Sequence, residues 1–360
     1  MNFLSIMQIQ SRYVKEIPIH FIIGIGRSGT SLLTSVLNAH PNTLACPEVL
    51  FISFFYSKFK NKKSWKDQEV EQILEYLDLF AIDHPYIGWN YEKEKLRATL
   101  RNLPTGTDYL TLCKTVCLHF EVDGKSMEDI QLLVDKNPAN TLCWGELLRL
   151  SPESKFIIAL RDYRGNVLSR KQSIHTRTPN TAINAFRWKF FNEKAFELLK
   201  KHPEKVLLVK YEELAKNPEE QVKKMCKFFN IEYLSEMLDF HQREHDVLHE
   251  AGFSGSEHKI KRAEKKYGDL ASPINSERVM AWENELHEKD VKWAEFICRV
   301  TGKKFGYEPS SILPITKKAA LFFKSILPFF VAWWDVSKTR ILLHFPPETK
   351  LSRLRAIYKK

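Results

Sequence analysis

The stretch Phe21-Ile22-Ile23-Gly24-Ile25-Gly26-Arg27-Ser28-Gly29-Thr30-Ser31-Leu32-Leu33 decides the fold. It reads as an apolar strand running into a glycine-hinged turn and then a helix. Glycine reaches left-handed backbone conformations, so successive N–H groups in such a turn can converge on one anion. The following helix adds the partial positive charge of its amino end. In the spacing of a nucleotide-triphosphate loop, Gly24 and Gly29 are the two glycines and Ser31 the hydroxyl residue, while Thr30 stands where the phosphate-clamping lysine belongs. That lysine is needed to hold β- and γ-phosphates during hydrolysis. A cradle of Gly26, Arg27, Ser28, Gly29, Thr30 and Ser31 suits a less charged terminal group. The plainest alternative is a glycine turn that joins a strand to a helix and binds nothing.

Beyond the loop, short apolar runs recur and each delivers polar residues. Thr43-Leu44-Ala45-Cys46, bounded by Pro41 and Pro47, reads as a strand ending at Glu48. Gln131-Leu132-Leu133-Val134 delivers Asp135-Lys136-Asn137-Pro138, Lys155 to Leu160 delivers Arg161-Asp162, and Val206 to Val209 delivers Lys210-Tyr211-Glu212. Between them lie helical patterns, including Asn217-Pro218-Glu219-Glu220 as a capping sequence ahead of Val222, Met225, Cys226 and Phe229. The segment from Phe51 to Leu103 is helical in pattern and reads as a cap over the sheet. Alternating strands and helices imply a parallel α/β sheet, whose ligands bind beyond the carboxyl ends of the strands. Gly24 to Thr30, Glu48, Lys136, Arg161 and Tyr211 are therefore expected to converge.

The pairing of Gly26-Arg27-Ser28-Gly29-Thr30-Ser31 with Leu160-Arg161-Asp162-Tyr163-Arg164-Gly165-Asn166-Val167-Leu168-Ser169 resembles the sulfotransferases that use 3′-phosphoadenosine 5′-phosphosulfate (PAPS). Ala39-His40-Pro41, Pro47-Glu48, Asp135-Lys136-Asn137-Pro138 and Tyr211-Glu212-Glu213-Leu214 fall in the order of the tyrosylprotein-type branch, and the resemblance covers about residues 20 to 308. It implies a P-loop-like three-layer α/β fold with a central parallel sheet, spanning residues 18–309 after an N-terminal segment 1–17, with a helical insertion over about 51–124. It further implies a loop for the 5′-phosphosulfate, a 3′-phosphate clamp of Arg161 and Ser169, and a nucleotide contact from Tyr211. Lys265 or Lys266, in the basic run Lys259 to Tyr267, would close a cationic lid.

The implied reaction is sulfuryl transfer from PAPS to a hydroxyl. Such a hydroxyl has a pKa far above neutral, so a base within hydrogen-bond reach must take its proton. Glu48 resembles the family's base, and His119 is the fallback. A cation already in place stabilises the leaving bridging oxygen without reorganisation; Lys136 and Arg27 are the candidates. The transferred group carries little charge, so no metal site is expected. Two other readings compete: a nucleoside or small-molecule kinase, and a membrane-peripheral protein that keeps the nucleotide cradle without turnover.

Composition sets the compartment and partners. The chain has 360 residues, 44% of them apolar, and a formal charge of +11. From Ile315 onward, ten lysines and arginines face only Asp335 and Glu348, so eight of those charges sit in the last 46 residues. The balanced body argues against a nucleic-acid-coating surface and for a basic tail with its own partner. Six scattered cysteines with no C-x-x-C pair read as thiols of a reducing compartment. Residues 1–17 show no secretion signal or membrane anchor, so the expected location is cytoplasmic, peripheral at the inner face of a membrane.

The tail, residues 310–360, is expected to be amphipathic, aromatic and helical. From Ala319 to Trp334, thirteen of sixteen residues are apolar, interrupted by Lys324, Ser325 and Pro328. About 20 clean residues are needed to cross a bilayer, so a helix lying on an anionic membrane surface through residues 317–360 is expected rather than a span. The alternative is a tail that docks on the body or on a second subunit in a homodimer. A lipid or sterol acceptor follows from the membrane reading, with saccharides and phenols as the other classes.

Overall fold

A computed structural model describes residues 13–46, 48–83, 91–120, 125–173, 179–242, 268–310 and 314–358. Strands β1 (Ile19–Gly24), β2 (Thr43–Cys46), β3 (Leu132–Lys136), β4 (Phe156–Leu160) and β5 (Val206–Lys210) form one sheet. Its order is β2-β3-β1-β4-β5 and every pairing is parallel.

Such a sheet is buried on both faces, which explains the unbroken apolar runs. Successive side chains point to opposite faces. Phe21 and Ile23 therefore join Leu133, Phe156 and Ile158 in one cluster, while Ile22 joins Val134, Ile157 and Ala159 in another. Two helices cover the second face: α1 (Thr30–Asn38) through Leu33, Val36 and Leu37, and a later helix, Pro218–Phe229, through Val222, Met225 and Phe229. The first face is covered by α2 (Phe51–Phe59), α3 (Asp67–Asp83), α4 (Lys93–Arg101) and α5 (Tyr109–Leu118). These helices make up the expected cap, with Phe51, Phe54 and Phe55 packed around Tyr76.

The chain continues through α6 (Trp144–Leu150), α7 (Tyr163–Gln172), α8 (Thr181–Lys201), α9 (Tyr211–Lys216), α10 (Pro218–Phe229), α11 (Ala281–Glu285) and α12 (Glu288–Lys303). In a third core Trp188 of α8 meets Tyr163 of α7 edge-on, ring centroids 5.5 Å apart. Helix α10 starts with Pro218 in its first turn, but Asn217 makes no side-chain cap. The capping expectation is thus half met: proline supplies the preset φ, and asparagine supplies no acceptor.

The tail forms α13 (Ile315–His344) and α14 (Pro347–Tyr358). Helix α13 runs 30 residues with Pro328 inside it, long and apolar enough by length and composition to cross a membrane. It nevertheless lies against the body. Phe329 packs edge-on to Phe186 and Phe190 at 5.4 and 5.6 Å between centroids, and Arg187 pairs with Asp335. Helix α14 buries Leu351 in the cluster under α2 and α3, while the Arg355 Nε donates to Glu75 at 2.5 Å.

Candidate active site

Strand order fixes the layout. The carboxyl ends of β2, β3, β1, β4 and β5 are adjacent in that sequence, so the segments bearing Glu48, Lys136, the glycine loop, Arg161 and Tyr211 stand side by side. Neighbouring strands lie about 4.8 Å apart, so the row is about 19 Å across.

The loop at its centre is held from several sides. Gly24 has φ 134°, and a Cβ there would lie 2.3 Å from the Ala159 carbonyl oxygen, so close pairing of β1 and β4 requires glycine. The Gly24 amide donates to Thr141 Oγ1 at 2.8 Å, and that hydroxyl donates back to the Gly24 carbonyl at 3.2 Å. Asn166 Nδ2 donates to the Gly26 carbonyl and to Ser28 Oγ, both at 3.1 Å. Arg27 sits in the left-handed region at φ 71°, a conformation that costs about 1–2 kcal/mol for a residue with a Cβ. Its Nε donates to Ser169 Oγ at 3.1 Å. Helix α1 begins after left-handed Gly29 with no side-chain cap. Uncapped amides at a helix start are ready donors to an anion.

Arg161 is 7% exposed. Its guanidinium stacks over the Tyr211 ring at 4.3 Å, and its two outer nitrogens donate to the carbonyls of Arg27 at 3.4 Å and Arg278 at 2.9 Å. Its Nε has no hydrogen-bond partner among the described residues. Burial pulls its pKa down, and the charges of Arg27 and Arg278 pull the same way. Arg170, beside Ser169, is pulled down to about 10 by burial, then by Arg187 and Arg27. Cations gathered at mutual cost, with an orphaned donor among them, fit an anionic ligand. Asp162, next to Arg161, binds Arg164 at 2.7 Å, and Arg164 reaches Glu295 at 3.2 Å. Tyr211 does more than pack on the sheet: a Cβ on Gly29 would lie 3.1 Å from its ring, so it backs the loop as well as Arg161.

On the other side of the loop, Lys136 Nζ donates to Glu48 Oε2 at 2.6 Å. The lysine side chain is 1% exposed and the glutamate 28%, so the cation is enclosed while the carboxylate keeps a face to solvent. Helix α2 starts after Leu50, which offers no side-chain cap. Next to Lys136, burial pushes the Asp135 carboxyl up to about 7, partly offset by the Asn140 amide at 2.6 Å and the Lys136 charge.

His119 is drawn elsewhere. Its Nε2 faces Thr99 Oγ1 at 3.0 Å, and it lines a cavity of about 330 Å³ with Lys125, Met127 and Ile130, residues that precede β3 while Lys136 ends it. Lys265 and Lys266 lie outside the described residues. Thr141, Asn166, Arg170, Trp188 and Arg278 were missed in the sequence. Trp188 donates to the Arg161 carbonyl at 3.0 Å. Asn166 alone carried a signal, since it sits inside the segment from Arg161 to Ser169.

The profile of the sulfotransferase family matches residues 18–236. The chain belongs to the sulfotransferase family. This sulfotransferase is 25% identical to protein-tyrosine sulfotransferase 2 of Gallus gallus over 84% of its own length and 72% of the relative's. It is 24% identical to protein-tyrosine sulfotransferase 1 of Danio rerio over 84% and 76%. In fold it is similar to the sulfotransferase domain of the Synechococcus PCC 7002 olefin synthase, with a TM-score of 0.50 and 19% identity over 82% of this chain and 96% of that one. The enzyme transfers a sulfuryl group from PAPS to a hydroxyl acceptor, which sets aside the kinase and the non-catalytic alternatives.

Proposed function

We propose that Glu48 is the general base, that Lys136 and Arg27 stabilise the leaving oxygen, and that Arg161 and Ser169 hold the 3′-phosphate. The observation that carries this reading is the Lys136–Glu48 pair at 2.6 Å, an enclosed cation on a half-open carboxylate. The acceptor oxygen attacks sulfur as Glu48 takes its proton. The bond from sulfur to the bridging oxygen breaks, and its electron pair stays on the nucleotide phosphate beside Lys136. Lys136 serves both partners, since it donates to Glu48 before transfer and meets the new charge afterwards. The loop amides and the uncapped start of α1 would hold the phosphosulfate.

Glu48→Gln tests the assignment because it keeps shape and removes the proton acceptor. Single-turnover transfer should fall about 10²–10⁴-fold, while the affinity for 3′-phosphoadenosine 5′-phosphate (PAP), measured by calorimetry, stays within about twofold. Unchanged turnover would move the base to another residue.

For the acceptor, the reading is an alcohol carried by a lipid, supported by the apolar aromatic face that α13 leaves exposed. A tyrosyl hydroxyl is the second reading, supported by what the relatives' names say of them. A reducing, cytoplasmic setting is part of the proposal. Its support is that all six cysteines are free and buried.

A further inference from the structure

We propose that α13 is an in-plane anchor whose exposed face lies on an anionic bilayer while an adjoining stripe stays docked on the enzyme. The helix carries two distinct stripes. Ser325, Ala332 and Leu343 are buried against the body, and Phe329 reaches the rings of Phe186 and Phe190. The other stripe holds Phe322, Phe323, Leu327, Phe330, Trp333 and Trp334, each 48% exposed or more. At 3.6 residues per turn, this second stripe fills a sector about 140° wide, beside the docked one. A patch of large aromatics of this extent marks an interaction surface.

Charge decides the occupant. The helix carries Lys317, Lys318, Lys324, Lys338 and Arg340 against the single acid Asp335, and that acid is taken by Arg187 on the body. Lys324, Lys338 and Arg340 border the aromatic sector and are exposed. Aromatic side chains rimmed by bases match the boundary between headgroups and acyl chains, where such helices sink about 5–10 Å. A second copy of the same face fits poorly, because self-pairing would set each basic rim against its like with no acid to answer it. Near the end of α13, Trp333, Trp334, Arg340 and His344 line a groove of about 560 Å³, with a guanidinium placed for a lipid phosphate.

The docked stripe also rules out a crossing arrangement. A helix of this length spans about 45 Å, enough for a bilayer, but its docked residues are distributed along it and α14 follows with Leu351 in the core. Crossing would strip those contacts away. The inference concerns binding and is independent of the transfer chemistry.

The test is flotation of the full chain with phosphatidylcholine vesicles, with and without phosphatidylserine, beside a Phe323→Asp/Leu327→Asp variant. Both positions are more than 70% exposed, and PAP binding reports that the variant is folded. The expected result is flotation with the anionic vesicles, at least tenfold weaker with neutral ones or for the variant, and quenching of tryptophan emission by brominated lipids that Trp333→Phe/Trp334→Phe diminishes. Failure to float with anionic vesicles would overturn the proposal, as would equal flotation of the variant. A dimer in light scattering that the aspartates dissolve, without flotation, would assign the face to a second copy instead.

Discussion

Gly24 concentrates the loop's demands in one residue. Its φ of 134° and the Ala159 carbonyl 2.3 Å from any added Cβ leave no room for alanine. Gly24→Ala should destabilise the fold by about 1–3 kcal/mol from backbone strain alone and weaken PAP binding, read by thermal unfolding and calorimetry; an unshifted Tm would mean that β1 and β4 can part there. Arg161 poses the complementary case of a buried cation with a nitrogen unpartnered among the described residues. Arg161→Ala should weaken PAP binding by about 2–4 kcal/mol, the scale of charge-assisted contacts to a buried anion. An unchanged dissociation constant would remove it from the 3′-phosphate. The motif residues Arg27, Arg161 and Ser169 were legible because their spacing is local to two short segments. Thr141 and Arg278 were not, because each reaches the site from a segment whose own pattern carries no phosphate-binding signal, Arg278 through a backbone carbonyl.

Among the elements, β1 and β3 place two displaced titrations side by side. His20 pairs with Val134 and Phe21 with Asp135. Burial lowers His20 to about 4, so its contribution is present above about 6.5 and is lost as pH falls toward 4. Burial raises Asp135 to about 7, so its contribution is present below about 4 and is lost as pH rises through 7. The two slopes oppose each other between pH 4 and 6.5. In urea unfolding against pH, Asp135→Asn should remove the loss toward pH 7 and leave the loss toward pH 4; a wild-type profile in the variant would deny the Asp135 shift.

The five strands were readable within one or two residues because buried parallel strands are short apolar runs closed by polar residues. The tail was harder. Its composition marked a helix, and Lys324, Ser325 and Pro328 were read as interruptions too many for a span, whereas α13 alone runs unbroken for 30 residues through Pro328, docking along the helix compensating for the proline, and a separate α14 follows. Leu351, 1% exposed in α14, should cost about 2–5 kcal/mol when changed to alanine. A loss under about 0.5 kcal/mol in urea unfolding would mean that the tail is not part of the core.

At the scale of the whole molecule, the sheet order sets Arg161 and Tyr211 at the ends of β4 and β5, the glycine loop after β1, and Glu48 with Lys136 at the ends of β2 and β3. With the proposed roles, donor recognition and proton transfer fall on opposite sides of one loop, so Arg161→Ala is expected to act on donor affinity and Glu48→Gln on turnover. The cap helices, unlike the row itself, had no sequence signature of a ligand, because they present mostly core packing. The measurement that tests the account most directly is transfer of label from sulfur-labelled PAPS to lipid alcohols, tyrosyl peptides, glycans and phenols, with labelled ATP and magnesium run in parallel. Label passing from PAPS into one hydroxyl class, with PAP released and none passing from ATP, is the predicted result. Transfer from ATP, or none from PAPS into any class while PAP still binds, would contradict it.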